Sequence, residues 1–384
     1  MLTSRINFKN YNFKSKNTSI KKKLNFLLNE KNEIIKSLSK NYKNSFNPNI
    51  LSKYKKNKNF RLIGMGGSSL GTQAIHDFLR EKIKKNFIFV NNLLPNQKVN
   101  KKSRFTNIVV SKSGNTIETI TNANILIKKK DKNIFITENK KNYLYLLAEK
   151  LKAEIIHHNN YIGGRYSVLS EVGMLPAELM GLNANNFRCL NLLVKNKNFM
   201  NSLIENVGST LHFIKNKKFN SIIINYDEQS ENLFKWYQQL VAESLGKKKK
   251  GLLPIISNMP KDNHSVMQLY LDGTDNNFFT FFSVNQNNSE KINNNLVLSQ
   301  QSYLKNKNLF KIISAQKKAT ERVFDKKNLP YRSFEIKKRN EKTLGELFCF
   351  FILETILIGK SLNLNPYDQP SVELIKKETK KLLI

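Results

Sequence analysis

Residues 106–119, TNIVVSKSGNTIET, pass directly from an apolar β-branched run, Ile108-Val109-Val110, into Ser-Lys-Ser-Gly-Asn-Thr. Consecutive β-branched residues suit a strand buried on both faces, and the small polar residues after it suit a tight turn. A helix is expected next. Asn115 and Glu118 stand at capping-box spacing, and apolar residues recur at Ile117, Ile120, Ala123 and Ile127. Free backbone amides at such a helix start attract an anion. The hydroxyls of Ser111, Ser113 and Thr116 and the ammonium of Lys112 add donors in the same turn, and a phosphate ester is the natural guest. The plainer reading is a polar turn between strand and helix.

The same alternation extends outward. Apolar strands are expected at Arg61–Gly64, Phe87–Val90, Asn107–Ser111, Asn133–Thr137 and Glu154–His157, separated by helices over Leu70–Lys84, Thr116–Lys130 and Tyr143–Leu151. Strands alternating with helices at about 25-residue spacing indicate a doubly wound parallel sheet, whose ligands sit beyond the carboxyl ends of the strands. Two of those ends carry unusual loops, Gly64–Gly71 and Ser111–Thr116. Gly163–Gly181 reads as a long connection. The pattern restarts with a helix at Asn201–Lys215, a strand at Ser221–Tyr226, a strong helix at Glu231–Gly246 and strands at Leu252–Ile256 and Asn276–Val284. Helices are expected at Glu341–Ser361 and Pro370–Leu383, and residues 285–345 carry no recognisable motif. The chain therefore divides into a helical segment (1–58), an α/β domain (59–190), a second α/β domain (191–340) and closing helices (341–384).

A chain of 384 residues can bury a large core and is expected to split into two domains. Its 65 Lys and Arg against 29 Asp and Glu give a formal net charge of +36. The lysines are spread along the chain among Asn, Ile and Phe, with no finger, RNA-binding aromatic or heptad pattern beside them. A compositional bias explains them better than a nucleic-acid surface, although the field can steer anions. Leu344–Ile358, the most apolar window, is too short to span a bilayer and carries Glu346 and Glu354. Met1–Lys23 has no continuous apolar core of a signal peptide, so neither membrane nor export is expected and the location read is cytoplasmic. Cys189 and Cys349 have neither metal-site spacing nor a disulfide framework.

Gly64–Gly71, GMGGSSLG, lets a backbone approach a ligand closely. Ser69 interrupts the dinucleotide fingerprint and no Gly-Lys-Ser/Thr closes a Walker loop, so a nucleotide is disfavoured. With Ser111–Thr116 on a neighbouring strand, the two loops suit a phosphorylated small molecule. Gly163-Gly164-Arg165 sets a guanidinium on a glycine hinge, fit to hold a phosphate or an oxyanion; the alternative is a surface arginine. In the Glu231–Gly246 helix, Leu233, Trp236, Tyr237, Leu240, Val241 and Ser244 form the core face, while Gln239 and Glu243 share another stripe. A carboxylate near a helix carboxyl end is disfavoured by the dipole, which argues for a functional role over an exposed pair with Lys247. His264, in a polar loop, is either an acid–base group or structural. Gln369 and Lys376 are spaced to project to one side of the last helix.

Taken in order, GMGGSSLG, SKSGNTIET, GGRYSVLS, QLVAESLGK, HSVMQ and DQPSVELIK resemble the motifs of the phosphoglucose isomerase (glucose-6-phosphate isomerase) family, from residue 64 to 376. The SKSGNT loop is shared by many sugar-isomerase (SIS) domains that only bind phosphosugars; the Glu243, GGR and C-terminal motifs are more specific. The resemblance implies an α/β chain of two SIS-type, flavodoxin-like doubly wound parallel-sheet domains with N- and C-terminal helical segments, active as a homodimer. It implies a phosphate clamp of Ser111, Lys112, Ser113 and Thr116 with Gly67 and Ser68. Glu243 matches the base that moves a proton between C1 and C2, and Arg165 the residue that stabilises a cis-enediolate. His264, reaching across from a partner subunit, and Lys376 match ring-opening groups; Gln239 and Gln369 match substrate contacts. The implied substrates are glucose 6-phosphate and fructose 6-phosphate, with no metal or organic cofactor. Three rivals stand beside this reading: a ketol-isomerase that also accepts mannose 6-phosphate, a non-catalytic SIS sugar-phosphate sensor, and a basic RNA-associated protein. The sensor would lack the Glu243–His264–Lys376 set. The chain is short for the family, as expected of trimmed N-terminal helices and loops.

Overall fold

The computed structural model describes residues 1–13, 17–95, 104–128, 130–286 and 288–384. These residues form ten strands: β1 (Ile6–Lys9), β2 (Asn59–Gly64), β3 (Asn86–Val90), β4 (Thr106–Val110), β5 (Lys132–Thr137), β6 (Glu154–His157), β7 (Asn220–Asn225), β8 (Leu253–Asn258), β9 (Asn277–Val284) and β10 (Tyr331–Ile336). They assemble into two five-stranded sheets, ordered β3-β2-β4-β5-β6 and β1-β10-β9-β7-β8.

Every residue of β4 is buried, because helices cover both faces of the sheet it centres. The first sheet is parallel throughout. Numbered from its own first strand its order is 2-1-3-4-5, the flavodoxin-like winding, and its order reverses between β2 and β4. Gly64 pairs with Val110 across that reversal, so the Gly64–Gly71 and Ser111–Thr116 loops leave the sheet side by side.

The second sheet repeats the winding as 2-1-3-4 over β7 to β10, and β1 adds an antiparallel edge. Its own reversal lies between β7 and β9. There the buried Asp227 carboxylate accepts Arg339 at 2.6 Å and Gln286 Nε2 at 3.0 Å, so the chain closes the crevice with its own ion pair. One hydrophobic cluster runs through both units, from Leu62 and Ile108 of the first sheet to Phe282 and Phe334 of the second. The Glu341–Ser361 helix is buried continuously from Thr343 to Gly359 and forms the spine of that cluster.

Several sequence expectations need correction. The N-terminal segment is not purely helical, since β1 covers the β10 edge before the Thr18–Asn29 helix begins. The helix expected at Leu70–Lys84 stops at Phe78, and a short 3₁₀ turn, Arg80–Lys82, follows. That expected at Thr116–Lys130 is Ile117–Leu126; Ile127 is already extended, and Lys129 lies outside the described residues. The capping box fails because Asn115 is drawn elsewhere: its Oδ1 accepts the Tyr143 amide of the next helix at 3.1 Å, and Thr116 is the N-cap. Gly163–Gly181 is no open connection but a buried 3₁₀ turn, Gly164–Leu169, and a helix, Glu171–Leu179. Residues 285–345 contain β10 and the Leu309–Lys326 helix. The final helix starts at Val372, past Pro370. Among the described residues no helix is long and apolar enough to cross a membrane. Both cysteines are free and buried, and burial pushes the Cys189 thiol up to about 12.

Candidate active site

The site lies over the β2–β4 reversal. Gly114 closes the Ser111–Thr116 turn in the left-handed region, at φ +66, where its amide donates to Ser111 O at 3.1 Å. The Ser111 and Thr116 hydroxyls meet at 2.8 Å, and Ser113 Oγ accepts the Asn115 amide at 3.3 Å. The first amides of the Ile117–Leu126 helix have no side-chain cap. Such a helix start favours an anion. Lys112 is engaged beside the turn: its ammonium donates to Asn160 O at 2.7 Å and stands 3.6 Å from the Glu138 carboxylate.

Behind the turn, His158 follows β6 and is buried; its backbone amide donates to Thr137 O at 2.8 Å, and its Nδ1 lies 3.0 Å from Asn159 O. Burial, and then the Lys112 charge, push the imidazole down to about 4. Glu171, whose carboxylate is 3.6 Å away, accepts Tyr42 Oη at 2.9 Å and the Asn159 amide at 2.6 Å, and burial raises its carboxyl above the ordinary range.

The glycine loop packs directly on the Gly163-Gly164-Arg165 turn. A β-carbon on Gly67 would stand 2.2 Å from the Gly164 carbonyl carbon, and one on Gly66, at φ +52, 2.8 Å from Gln239 Nε2. The glycines therefore bring three segments into contact: the β2 loop, the turn that carries Arg165, and the Glu231–Leu245 helix. That helix leaves the second sheet after β7 and packs on the Leu70–Phe78 helix of the first. A residue made in one α/β unit is thereby delivered to the crevice of the other. The six core positions read from its sequence, Leu233, Trp236, Tyr237, Leu240, Val241 and Ser244, are all buried.

Arg165 is the hub. Its side chain is 1% exposed, and all five N–H donors are engaged. Nε donates to Ser244 Oγ at 2.8 Å; one terminal nitrogen to Glu243 at 3.2 Å and to Gln369 Oε1 at 2.6 Å; the other to Pro366 O at 2.7 Å and Asp368 O at 3.0 Å. Tyr166 reinforces the arrangement, its hydroxyl lying 2.8 Å from Ser244 Oγ and donating to Pro366 O at 2.9 Å. The segment 365–369 is thus strapped over the guanidinium. Lys247 holds its outer side, pairing with Asp368 at 2.6 Å rather than with Glu243. Glu243 also accepts Gln239 Nε2 at 2.8 Å, and Gln239 Oε1 is buried without a partner among the described residues. A carboxylate in the last turn of a helix, against the dipole, is here offset by a fixed cation.

The structure therefore brings together Gly67, Arg165, Gln239, Glu243 and Gln369, with Ser68, Ser111, Lys112, Ser113 and Thr116 on the adjoining loops. It does not bring Lys376 or His264 to them. Lys376 is on the exposed Val372–Leu382 helix, and its partner is Glu373 at 2.6 Å. Gln369 precedes that helix, so the two do not share a helical face. His264 ends a 3₁₀ turn after β8 and is exposed. The sequence reading missed Tyr166, Lys247 and the Pro366 and Asp368 carbonyls as parts of the site, and took Ser244 for core alone.

The family model of phosphoglucose isomerase matches residues 36–383. Glucose-6-phosphate isomerase from Methanocaldococcus jannaschii is 31% identical over 354 residues, covering 85% of each chain. The protein of that name from Campylobacter jejuni is 31% identical over 349 residues, again covering 85% of each. Among solved structures, a hypothetical protein from Thermus thermophilus superposes with a TM-score of 0.81 at 22% identity, covering 96% of this chain and 94% of that one. A glucose-6-phosphate isomerase from Chlamydia trachomatis gives 0.69 at 19% identity, over 87% and 71% of the two chains. At these identities the solved structures show the fold.

Proposed function

The chain belongs to the phosphoglucose isomerase family, and from that membership we propose that it interconverts glucose 6-phosphate and fructose 6-phosphate with Glu243 as the proton-transfer base. The observation that carries this reading is the pairing of the Glu243 carboxylate with the buried, five-fold bonded Arg165 at 3.2 Å. Aldose–ketose isomerisation needs one carboxylate to take a carbon-bound proton and return it to the neighbouring carbon. It also needs a cation fixed where the enediolate charge develops. A guanidinium is a planar fixed cation, and the bonds of Arg165 to Ser244, Pro366 and Asp368 hold it without reorganisation.

The Ser111–Thr116 turn anchors the phosphate and supplies remote binding energy that positions C1 and C2. Gln239 Oε1, buried and unpartnered among the described residues, is an acceptor for a sugar hydroxyl. Ring opening is assigned to His264, contributed across a homodimer, and to Lys376. Both are exposed in the single chain, so each role depends on an approach that the isolated subunit does not make.

The test is Glu243→Gln in a coupled assay with fructose 6-phosphate. The amide keeps the shape and removes the base, so kcat falls by roughly 10²–10⁴-fold while substrate still binds. Near-normal turnover removes Glu243 from the mechanism. Offering mannose 6-phosphate in parallel separates the strict isomerase from the broader one, and no turnover of any of the three sugars by the wild-type chain leaves only a sensor.

A further inference from the structure

At the opposite end of the first sheet, the starts of β2, β4 and β5 line a groove of about 700 Å³. Three separate segments put cations there: Lys58 before β2, Arg104 before β4, and Lys128, Lys130 and Lys132 at the turn into β5. In a chain with 65 basic residues, surface lysines alone mean little. This group differs in two respects. Its members converge in a concavity, where low-dielectric walls focus the field. They also outnumber their counter-charge, five cations against a single carboxylate. Asp131, the one acidic residue of the lining, is committed to the turn itself, accepting the Lys128 amide at 3.0 Å and Asn107 Nδ2 at 3.2 Å. The side-chain nitrogens of Lys58, Arg104, Lys130 and Lys132 have no hydrogen-bond or ion-pair partner among the described residues. Beside the groove Arg61, 7% exposed, stacks 4.5 Å over the ring of the lining residue Phe105 and donates to Leu126 O at 3.1 Å.

We propose that this groove binds a small polyphosphate anion: the phosphate chain of a nucleoside triphosphate or of inorganic polyphosphate. Several like charges held in one concavity repel in the free protein, and a multivalent anion spanning them removes that repulsion at each contact. A monophosphate reaches too few of them. The groove is separate from the site over the β2–β4 reversal, at the far ends of strands five or six residues long, about 16 Å away. Its volume falls within the size of small-molecule sites, which favours a compact anion over a nucleic acid strand.

The test titrates the full-length protein with sodium tripolyphosphate, ATP and inorganic phosphate by calorimetry at constant, near-physiological ionic strength. The comparison is between wild type, the groove variant K58Q/R104Q/K130Q/K132Q, and a control, K21Q/K22Q/K318Q/K326Q, that removes the same charge elsewhere. The wild type and control bind one tripolyphosphate with a sub-millimolar Kd, at least about tenfold more tightly than phosphate. The groove variant loses at least about tenfold in affinity and keeps wild-type isomerase turnover. Removing mutual repulsion leaves it folded; the milder K130Q/K132Q variant shows an intermediate loss. Tighter binding of ATP than of tripolyphosphate adds a base contact, and equal binding makes the phosphate chain the whole ligand; both support the proposal. Four results overturn it: no binding by wild type, equal weakening in groove variant and control, undiminished binding in the groove variant, or groove-dependent binding of single-stranded nucleic acid that outcompetes tripolyphosphate.

Discussion

Replacing Gly67 by alanine tests the close approach on which the site depends. The added β-carbon would stand 2.2 Å from the Gly164 carbonyl carbon, 2.4 Å from its oxygen and 2.5 Å from the Arg165 amide nitrogen. All three are backbone atoms, so no side-chain rotation relieves the overlap. Ordinary contact begins at 3.4 Å. The Gly66–Ser68 turn and the Gly163–Arg165 turn must therefore separate by about 1.2 Å, and misplacement of a catalytic group on that scale can cost about 10²-fold in rate. The retreat also strains a closely packed region, at about 1–3 kcal/mol. Gly163→Ala is the matched control: its φ is −68°, and a β-carbon there meets only Tyr166 Cδ2 at 3.8 Å. In the coupled assay, kcat for fructose 6-phosphate is expected to fall about 100-fold in Gly67→Ala and to stay within about twofold in Gly163→Ala. Urea denaturation distinguishes a displaced site from an unfolded chain. A folded Gly67→Ala with near-normal kcat would refute the view that this contact sets the position of Arg165.

Further outcomes follow from the same geometry. Arg165→Lys keeps the charge but cannot reach Ser244, Glu243, Gln369, Pro366 and Asp368 together; kcat is expected to drop about 10²-fold or more, and limited proteolysis to begin cutting near 365–369. His158 gives a pH dependence whose sign is fixed. Its folded value of about 4 lies below the ordinary 6.5, so between these values the unfolded chain binds more protons. The stability from keeping this ring neutral is complete above pH 6.5 and is lost as the pH falls toward 4, by up to about 3 kcal/mol. Glu171, raised by burial, works in the opposite direction, so the comparison is with His158→Gln, whose denaturation midpoint should vary less steeply across this window.

The strands that could be read from the sequence are those whose residues all face one kind of environment. β4 and β5 are runs of apolar residues because helices cover both faces, and their positions match expectation closely. β10, YRSFEI, carries charges, and that is why it escaped: Arg332 is buried only because Glu354, Asn206, Thr280 and Tyr237 from other elements satisfy it. β1 is four residues long at a sheet edge, too short for its alternation to register. The site divides in the same way. Loops with unusual composition, GMGGSSLG and SKSGNT, announced themselves, whereas backbone carbonyls such as those of Pro366 and Asp368 leave no trace because every residue has one. Gln369 and Lys376 were placed on one face by a helix assumed to begin at Pro370; it begins two residues later, and the shared face disappears.

The strap over Arg165 also bears on the order in which the protein is made. Pro366, whose carbonyl receives one arm of the guanidinium, is translated 201 residues after it. By then β10, the last strand described, has ended at Ile336, so a nascent chain that has passed Ile336 but stops short of Asn365 already contains every described strand of both sheets. What it lacks is the small set of acceptors that keeps a nearly solvent-free arginine in place. Synthesis therefore completes the scaffold well before it completes the chemistry, and a truncated product with a plausible fold would still arrive without a working site.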